Sequence, residues 1–321
     1  MLKELKFVMG SVARKDYVPE LQHFKIENGR VEGFNGVIAL STPIDLDLAA
    51  MPKAVPFVKA IERLPDTQEC VLDLTKAGRL SVKSGRFKAF VECWEAEHET
   101  PHVSPKGETY AMPGGILPIL KRMAPFTGID ASRPWACGIL LDGQTATATN
   151  NIVVVQHWLP ELTFPSPINL PSVAVNEMLR INREPVAMQP EPGAITFHYE
   201  DGAWMRTSLL EGTWPVDLSN VLDRECAPKA VTPGLFDAVE RLEPFGKDGR
   251  VFLRPELVTT SLTEGEGAQM ELPGLEADGC FHMDQIVALR DLATSIDWTM
   301  YPMPCIFFGD NVRGALVGIR Q

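Results

Sequence analysis

One pattern recurs six times along the 321 residues: a short amphipathic helix, then two or three strands joined at glycine-containing turns. Self-similarity at a fixed spacing determines an architecture before any single residue does. The first unit is expected to pair a helix near 11–17 with strands 22–27 and 30–34 across Asn28-Gly29, a strong hairpin signal. The second places a helix at 56–64 and strands at 70–74, 79–83 and 87–93, turning at Ala77-Gly78 and Ser84-Gly85. The third runs from a helix at 116–126 to strands 137–141 and 145–149 across Asp142-Gly143. The fourth has a helix at 172–182 and strands 187–189, 195–199 and 204–210, with Asp201-Gly202 at a turn. The fifth has a helix at 233–242 and strands 251–253 and 258–263, turning at Gly265 and Gly267. The sixth has a helix at 283–295, a strand at 305–308, a turn at Asp310-Asn311 and a final strand at 314–320.

Helix assignments rest on apolar spacing. Phe57, Ala60, Ile61 and Leu64 share a face, and so do Ile116, Ile119, Leu120 and Met123. Leu235, Ala238, Val239 and Leu242 repeat the spacing, as do Ile286, Leu289 and Leu292. Strands such as Ile195-Thr196-Phe197-His198-Tyr199 alternate, which implies sheets with one buried face. Corresponding helices return roughly every 105–120 residues. Pairing the units therefore gives an α+β chain of three similar domains, 1–106, 107–224 and 225–321, each with two helices packed on antiparallel sheets. Polar, proline-bearing stretches at 95–108 and 222–228 fall at the boundaries.

Charge narrows the partners. Thirty Lys and Arg stand against 42 Asp and Glu, a net charge of −12, which argues against a generic nucleic-acid coat. It leaves room for a protein that keeps its cations on one inner surface, because the local field acts on a ligand. Within the six expected helices the balance is reversed. Arg14, Lys15, Lys59, Arg63, Lys121, Arg122, Arg180, Arg183, Arg241 and Arg290 face only eight acids there. Any amphipathic helix shows Lys and Arg to water, but the first four share this bias in succession. By domain the net charges are 0, −5 and −7, so the first is the least hostile to phosphate.

Catalysis finds little support. His98 and His102 have i, i+4 spacing, but Pro101 between them works against the helix that a zinc-protease site requires. Gly246-Lys247 lacks the Ser/Thr and the earlier Gly of a phosphate loop, and no GxSxG occurs. The six cysteines are scattered without a CxxC pair, as expected of reduced thiols in a cytoplasmic protein. The N-terminus has no signal-peptide core, and the longest apolar runs, such as Ile152-Val153-Val154-Val155, are strand-sized rather than membrane-spanning. The expectation is a non-enzyme with no cofactor, no metal and no membrane association. The alternatives are a β-rich hydrolase or metal enzyme using His98/His102 or a cysteine, and a protein-assembly scaffold without DNA binding.

Several strings, taken in order, resemble the bacterial DNA polymerase III β subunit family, the sliding clamps, over essentially the whole chain. Leu2–Phe7 is similar to that family's first strand, and Val18-Pro19-Glu20-Leu21 with Phe24-Lys25-Ile26 to the approach to its second. Ser81-Val82-Lys83-Ser84-Gly85-Arg86-Phe87 resembles its VRSGRSRF stretch. Cys137-Gly138-Ile139-Leu140-Leu141 and Ala148-Thr149-Asn150 resemble its middle-domain NGMLFE and ATDGHRLA strings. Ser208–Pro215 resembles KLVDGRFPDY, which closes that domain. The resemblance implies three clamp domains per chain and a ring closed by dimerisation, with helices lining the hole. Such a ring holds duplex DNA by topology and without sequence preference, and tethers a polymerase. Lys15 then falls at a DNA-contacting position, and Arg133 and Trp135 on a loop at the ring's face; Trp135 reads equally as a core anchor at a strand start.

The family's pocket for linear motifs of polymerases and clamp loaders maps onto Ala136, Thr149, Asn151, Val154, Pro215, Val221 and Ile319. Here the chain departs from the pattern. Asn151-Ile152-Val153 replaces Gly-His-Arg, and Val317-Gly318-Ile319-Arg320-Gln321 replaces the usual tail, so the pocket either reads another motif or is vestigial. Phe87, Leu242 and Phe245 are placed at the dimer contact, with ordinary core packing as their other reading. The chain is shorter than the usual bacterial version, as a divergent or phage-borne relative would be.

Overall fold

The computed structural model describes residues 1–13, 18–64, 69–94, 103–212, 214–215, 217–263 and 265–320. Seven α-helices lie within them: α1 (Leu2–Val8), α2 (Ala54–Glu62), α3 (Ile116–Met123), α4 (Ser172–Ile181), α5 (Asp217–Leu222), α6 (Leu235–Leu242) and α7 (Met283–Ala288). The strands, in chain order, begin with β1 (Lys25–Glu27), β2 (Arg30–Phe34), β3 (Ile38–Pro43), β4 (Val71–Leu74), β5 (Arg79–Ser84), β6 (Phe87–Glu92) and β7 (Tyr110–Ala111). They continue with β8 (Gly138–Gly143), β9 (Thr145–Thr149), β10 (Val153–Trp158), β11 (Phe164–Pro171), β12 (Ala187–Glu191), β13 (Ala194–His198) and β14 (Trp204–Ser208). The last are β15 (Lys229–Ala230), β16 (Arg250–Arg254), β17 (Leu257–Thr259), β18 (Gln269–Glu271), β19 (Gly279–His282), β20 (Ser295–Ile296), β21 (Cys305–Gly309) and β22 (Val312–Leu316). Every pair among them is antiparallel.

By contacts the chain divides into two units, Met1–Gly115 with Glu177–Leu209, and Ile116–Asn176 with Leu210–Gln321. The first contains a seven-stranded sheet, β1-β2-β3-β14-β13-β12-β7, and the three-stranded β4-β5-β6. Its core joins Val31 and Leu40 to Phe197 and Met205, all buried. The second contains an eight-stranded sheet, β11-β8-β9-β10-β22-β21-β20-β15, and the four-stranded β18-β17-β16-β19. There Ile139, Leu141, Val155 and Phe307 are fully buried. Each large sheet thus joins strands far apart in sequence, as where Met205 faces Leu40 and Val154 faces Ala315.

The local rules explain the turns and helices. Asn28 and Gly29 both have positive φ, 52° and 69°, as a two-residue hairpin turn of this hand demands. On α3, Ile116, Leu117, Leu120 and Met123 are buried; each contributes about 1.5–3 kcal/mol relative to exposure. Lys121 and Arg122, in the last turn, complement the helix dipole.

The first unit corrects the reading of the N-terminus. Leu2–Phe7 is not a strand; it belongs to α1, because Leu5 and Val8 recur at helical spacing and are fully buried. The helix expected at 11–17 is replaced by a 3-10 turn, Met9–Ser11, and 14–17 lie outside the described residues. The strand expected from 22 starts at Lys25, after a 3-10 turn over Pro19–Gln22. α7 ends at Ala288 rather than 295, and the last strand is Val312–Leu316 rather than 314–320. The other four helices and most of the glycine-turn hairpins fall where expected.

Candidate functional site

The helical cations fall into two classes. Lys59 on α2, Arg63 just past its end, and Lys121 on α3 are exposed and make no ion pair with any described residue. α1 adds Lys3 and Lys6, which the misplaced first helix concealed. Both are exposed, and Lys6 Nζ lies 2.9 Å from a Glu62 carboxylate oxygen. Arg14 and Lys15 lie outside the described residues.

Arg241 on α6 is likewise exposed and makes no ion pair with any described residue, whereas the other four arginines are tied down. Arg180 chelates the buried Glu177 carboxylate through Nε at 3.0 and 2.9 Å, and its Nη2 donates to the Phe7 carbonyl at 2.8 Å. Arg183 pairs with Asp201 at 2.5 Å and lies over the rings of Phe7 and Tyr199, 5.0 and 4.9 Å from their centroids. That guanidinium helps hold the Asp201 carboxyl below its ordinary pKa against desolvation, the largest influence, which raises it. Arg122 donates to the Asp291 carbonyl at 2.8 Å and to Nε2 of His157 at 3.3 Å. Nδ1 of His157 faces the Trp158 carbonyl at 2.7 Å, so Nδ1 carries the proton and Nε2 accepts. Burial, and then the neighbouring Arg122, lowers the His157 pKa against the opposing effect of that carbonyl. Arg290 bridges Asp237 and Glu240, at 3.1 and 2.9 Å.

A second candidate site is an apolar cluster in the second unit. Val154 on β10, Leu222 on α5, Ile306 on β21 and Ala315 on β22 form it, with Val221, Cys226, Met300 and Phe308 packed half-buried at its edge. Two residues expected in the partner pocket, Val154 and Val221, therefore meet. The sequence reading missed Met300 and Phe308.

The other expected pocket residues stand in a 3-10 turn, at a strand end, in loops and in the C-terminal segment. Thr149 Oγ1 donates to the Val153 carbonyl at 2.8 Å and accepts from the Asn151 amide at 3.1 Å. Asn151 sits at φ 70°, a conformation that Asn tolerates better than most residues. Arg133 Nη1 donates to Asn151 Oδ1 at 2.8 Å, so the loop expected to face DNA is bonded to the loop expected to line the pocket. Trp135 stacks edge-on against Trp214, 5.3 Å between centroids, and its carbonyl accepts from Asn169. Ala136 is buried and Pro215 exposed. Asn150 reaches Gln285 at 2.6 Å, a contact no sequence pattern announced. Ile319 is held at both ends: its amide donates to the Cys280 carbonyl, and its own carbonyl accepts from the Tyr301 hydroxyl, each at 2.7 Å.

Of the residues placed at a dimer contact, Leu242 is buried within its own unit, Phe245 is 57% exposed and Phe87 is half-buried. Val71, Leu74 and Phe90 of the three-stranded sheet are also exposed and were not foreseen.

For the enzyme alternative, His98 and His102 lie outside the described residues. Among the described residues no cluster of three His, Cys, Asp or Glu side chains could hold a metal ion. Burial pushes the Cys305 thiol up to about 12 and raises Cys70, Cys93, Cys226 and Cys280 as well, the opposite of nucleophile activation. No helix among the described residues is long and apolar enough to cross a membrane.

No family model matches the sequence, and no curated protein matches it. Solved structures do. The DNA polymerase sliding clamp of Bacillus subtilis superposes with a TM-score of 0.82 over 100% of this chain and 97% of its own, at 15% identity. The β subunit of the DNA polymerase of Streptococcus pyogenes gives 0.80 over the same shares at 18%. The Helicobacter pylori β clamp bound to a DNA ligase peptide gives 0.82 over the same shares at 17%.

The fold is that of the bacterial β sliding clamps. At such identity the clamp fold is kept by patterns of burial and turn rather than by particular residues. Within this clamp fold the basic helices and the Val154 cluster are the two candidate functional surfaces.

Proposed function

We propose that the chain is a DNA polymerase processivity factor without catalytic activity of its own. It encircles duplex DNA as a homodimeric ring and tethers a polymerase, and is loaded by a clamp loader, through linear motifs. The observation that carries this reading is the clamp fold over the whole chain, joined to exposed cations on and beside its helices that pair with no described residue. Each chain contributes three modules, 1–106, 107–224 and 225–321, which hold α1 and α2, α3 to α5, and α6 and α7. The contact division into two units is compatible with three modules, because β3 of the first pairs with β14 of the second. In the same way β10 of the second pairs with β22 of the third.

In this reading Lys3, Lys59, Arg63 and Lys121 face phosphate, and contacts without base readout permit sliding. Arg180, Arg183, Arg122 and Arg290 shape the helices rather than bind DNA. Arg133 and Trp135 belong to the rim of the partner pocket, whose floor is the cluster around Val154, Val221 and Ile306. The peptide-bound neighbour supports a linear-motif partner for that pocket.

The test is retention on nicked circular DNA after loading, followed by linearisation. Protein that slides off cut DNA is held by topology; protein that stays bound is not, and the ring reading then fails. Solution mass is the companion measurement, since a closed six-module ring requires a dimer. Reversing Lys59, Arg63 and Lys121 separates a clamp from a protein-assembly scaffold: only the clamp loses polymerase stimulation.

A further inference from the structure

Strands β16 and β19 and the 3-10 turn Trp298–Met300 border a groove of about 710 Å³ that neither candidate surface uses. Its lining includes Arg254, Glu276, Asp278, Trp298, Tyr301 and Arg320. The aromatic wall is built to stay still. Phe281, fully buried, backs it, with ring centroids 5.2 Å from Trp298 and 5.6 Å from Tyr301. The Tyr301 hydroxyl is held by the Ile319 carbonyl. Its ring is packed so closely on Gly279 and Gly318 that a Cβ there would fall 2.9 and 2.5 Å from ring atoms. A preformed wall of this kind costs a ligand little ordering entropy.

Charge narrows the occupant. Asp278 is paired with Arg254 at 2.9 Å, and Glu276 with Lys229. Arg320 is exposed, and it is the lining charge that no described residue pairs with. A single nucleic-acid strand also favours aromatic faces and arginine, but its phosphates would pass Glu276 and Asp278. A peptide with one acidic side chain meets no such repulsion. The groove also adjoins the apolar cluster, because Met300 of that cluster stands between Thr299 and Tyr301 of the groove wall.

We infer that this groove receives the part of a partner protein that continues beyond its apolar anchor in the Val154 cluster. The occupant is an extended peptide that lays proline or another flat apolar residue on Trp298 and Tyr301 and sets an acidic side chain against Arg320. The inference rests on the partner-pocket reading above.

Two fluorescent synthetic peptides test it: a short leucine- and phenylalanine-bearing anchor, and the same anchor extended by a Pro-Pro-Asp tail. The tail is expected to tighten binding to the wild-type protein about tenfold. Arg320→Glu, at an exposed position, should return the extended peptide to the affinity of the short one and leave the short one unchanged; Trp298→Phe should retain part of the gain. The inference is overturned if the tail adds nothing, if Arg320→Glu weakens both peptides equally, or if that variant loses binding of an oligo-dT strand and keeps the tail's gain. If neither peptide binds the wild-type protein, the pocket reading falls and the groove falls with it. Failure of the groove alone leaves the short peptide bound.

Discussion

Arg180 turns its guanidinium onto Glu177 and the last carbonyls of α1, and that choice fixes what its removal should do. Glu177 is 7% exposed, so Arg180→Ala would leave a carboxylate with neither water nor partner. Breaking a buried pair costs about 3–5 kcal/mol, and the partial exposure of Arg180 brings the expectation to about 2–3 kcal/mol. Lysine should recover little, since one ammonium cannot serve both carboxylate oxygens and the α1 carbonyls. Urea unfolding measures this; a variant as stable as wild type would show that the pair is dispensable. His157 makes a second residue-scale prediction. Its folded pKa lies below the ordinary 6.5 because the ring is buried beside Arg122. The unfolded chain therefore takes up its proton first as pH falls, and stability is lost from about pH 7 downward until the folded form also protonates. His23 and His198 are lowered mainly by burial as well and act in the same direction. The midpoint of thermal unfolding should fall between pH 7 and 5, and His157→Gln, which cannot charge, should flatten part of that slope.

At the scale of elements, what could be read from sequence depended on whether the signal was local. Asn28-Gly29, Asp142-Gly143 and Asp201-Gly202 mark their turns in two residues, and the strands beside them fell close to where expected. α3 and α6 declared themselves through apolar residues three and four apart. α1 did not, because Leu2-Lys3-Glu4-Leu5-Lys6 also alternates loosely enough to pass for a strand, and only the burial of Leu5 with Val8 decides it. Lys3 and Lys6 were lost as candidates with it. The candidate pocket was half legible: Val154 lies in a plain apolar run, but Met300 and Phe308 of the apolar cluster, and Gln285 beside Asn150, reach their places through pairings more than a hundred residues apart. The tethered arginines were invisible for another reason. Phe7 and Asp291 serve Arg180 and Arg122 through main-chain carbonyls, which carry no residue signature. The β10–β22 pairing yields a prediction of its own. A Cβ on Gly314 would fall 2.1 Å from the Phe307 ring and 2.5 Å from the Val154 carbonyl, with no flexible atom to give way. Gly314→Ala should cost about 1–3 kcal/mol and raise amide exchange along both strands. Unchanged exchange at Val154 and Ala315 would contradict the packing.

For the molecule as a whole, the balance of −12 means that the proposed DNA affinity must come from where cations stand rather than from how many there are. Lys59, Arg63 and Lys121 are available for phosphate, whereas Arg290, equally basic, is neutralised by Asp237 and Glu240. Two reversals of equal charge should therefore behave differently. Lys59→Glu with Arg63→Glu places two acids where the proposed ring meets phosphate, and should reduce retention on circular DNA and polymerase stimulation at least tenfold with little change in melting temperature. Arg290→Glu with Arg183→Glu adds the same charge to the chain but sets the new carboxylates against Asp237, Glu240 and Asp201. It should lower the melting temperature and leave retention within about twofold once folding is confirmed. Net charge acting at a distance would make both pairs equally harmful, and in 0.5 M salt equally harmless, because the Debye length shrinks to a few ångströms. A topological ring separates them further: wild-type protein already loaded on closed circles should remain through that salt, since few phosphates are neutralised at once and none needs to be for the ring to stay. Release of wild-type protein from intact circles on raising the salt would show that charge, not closure, was holding the DNA.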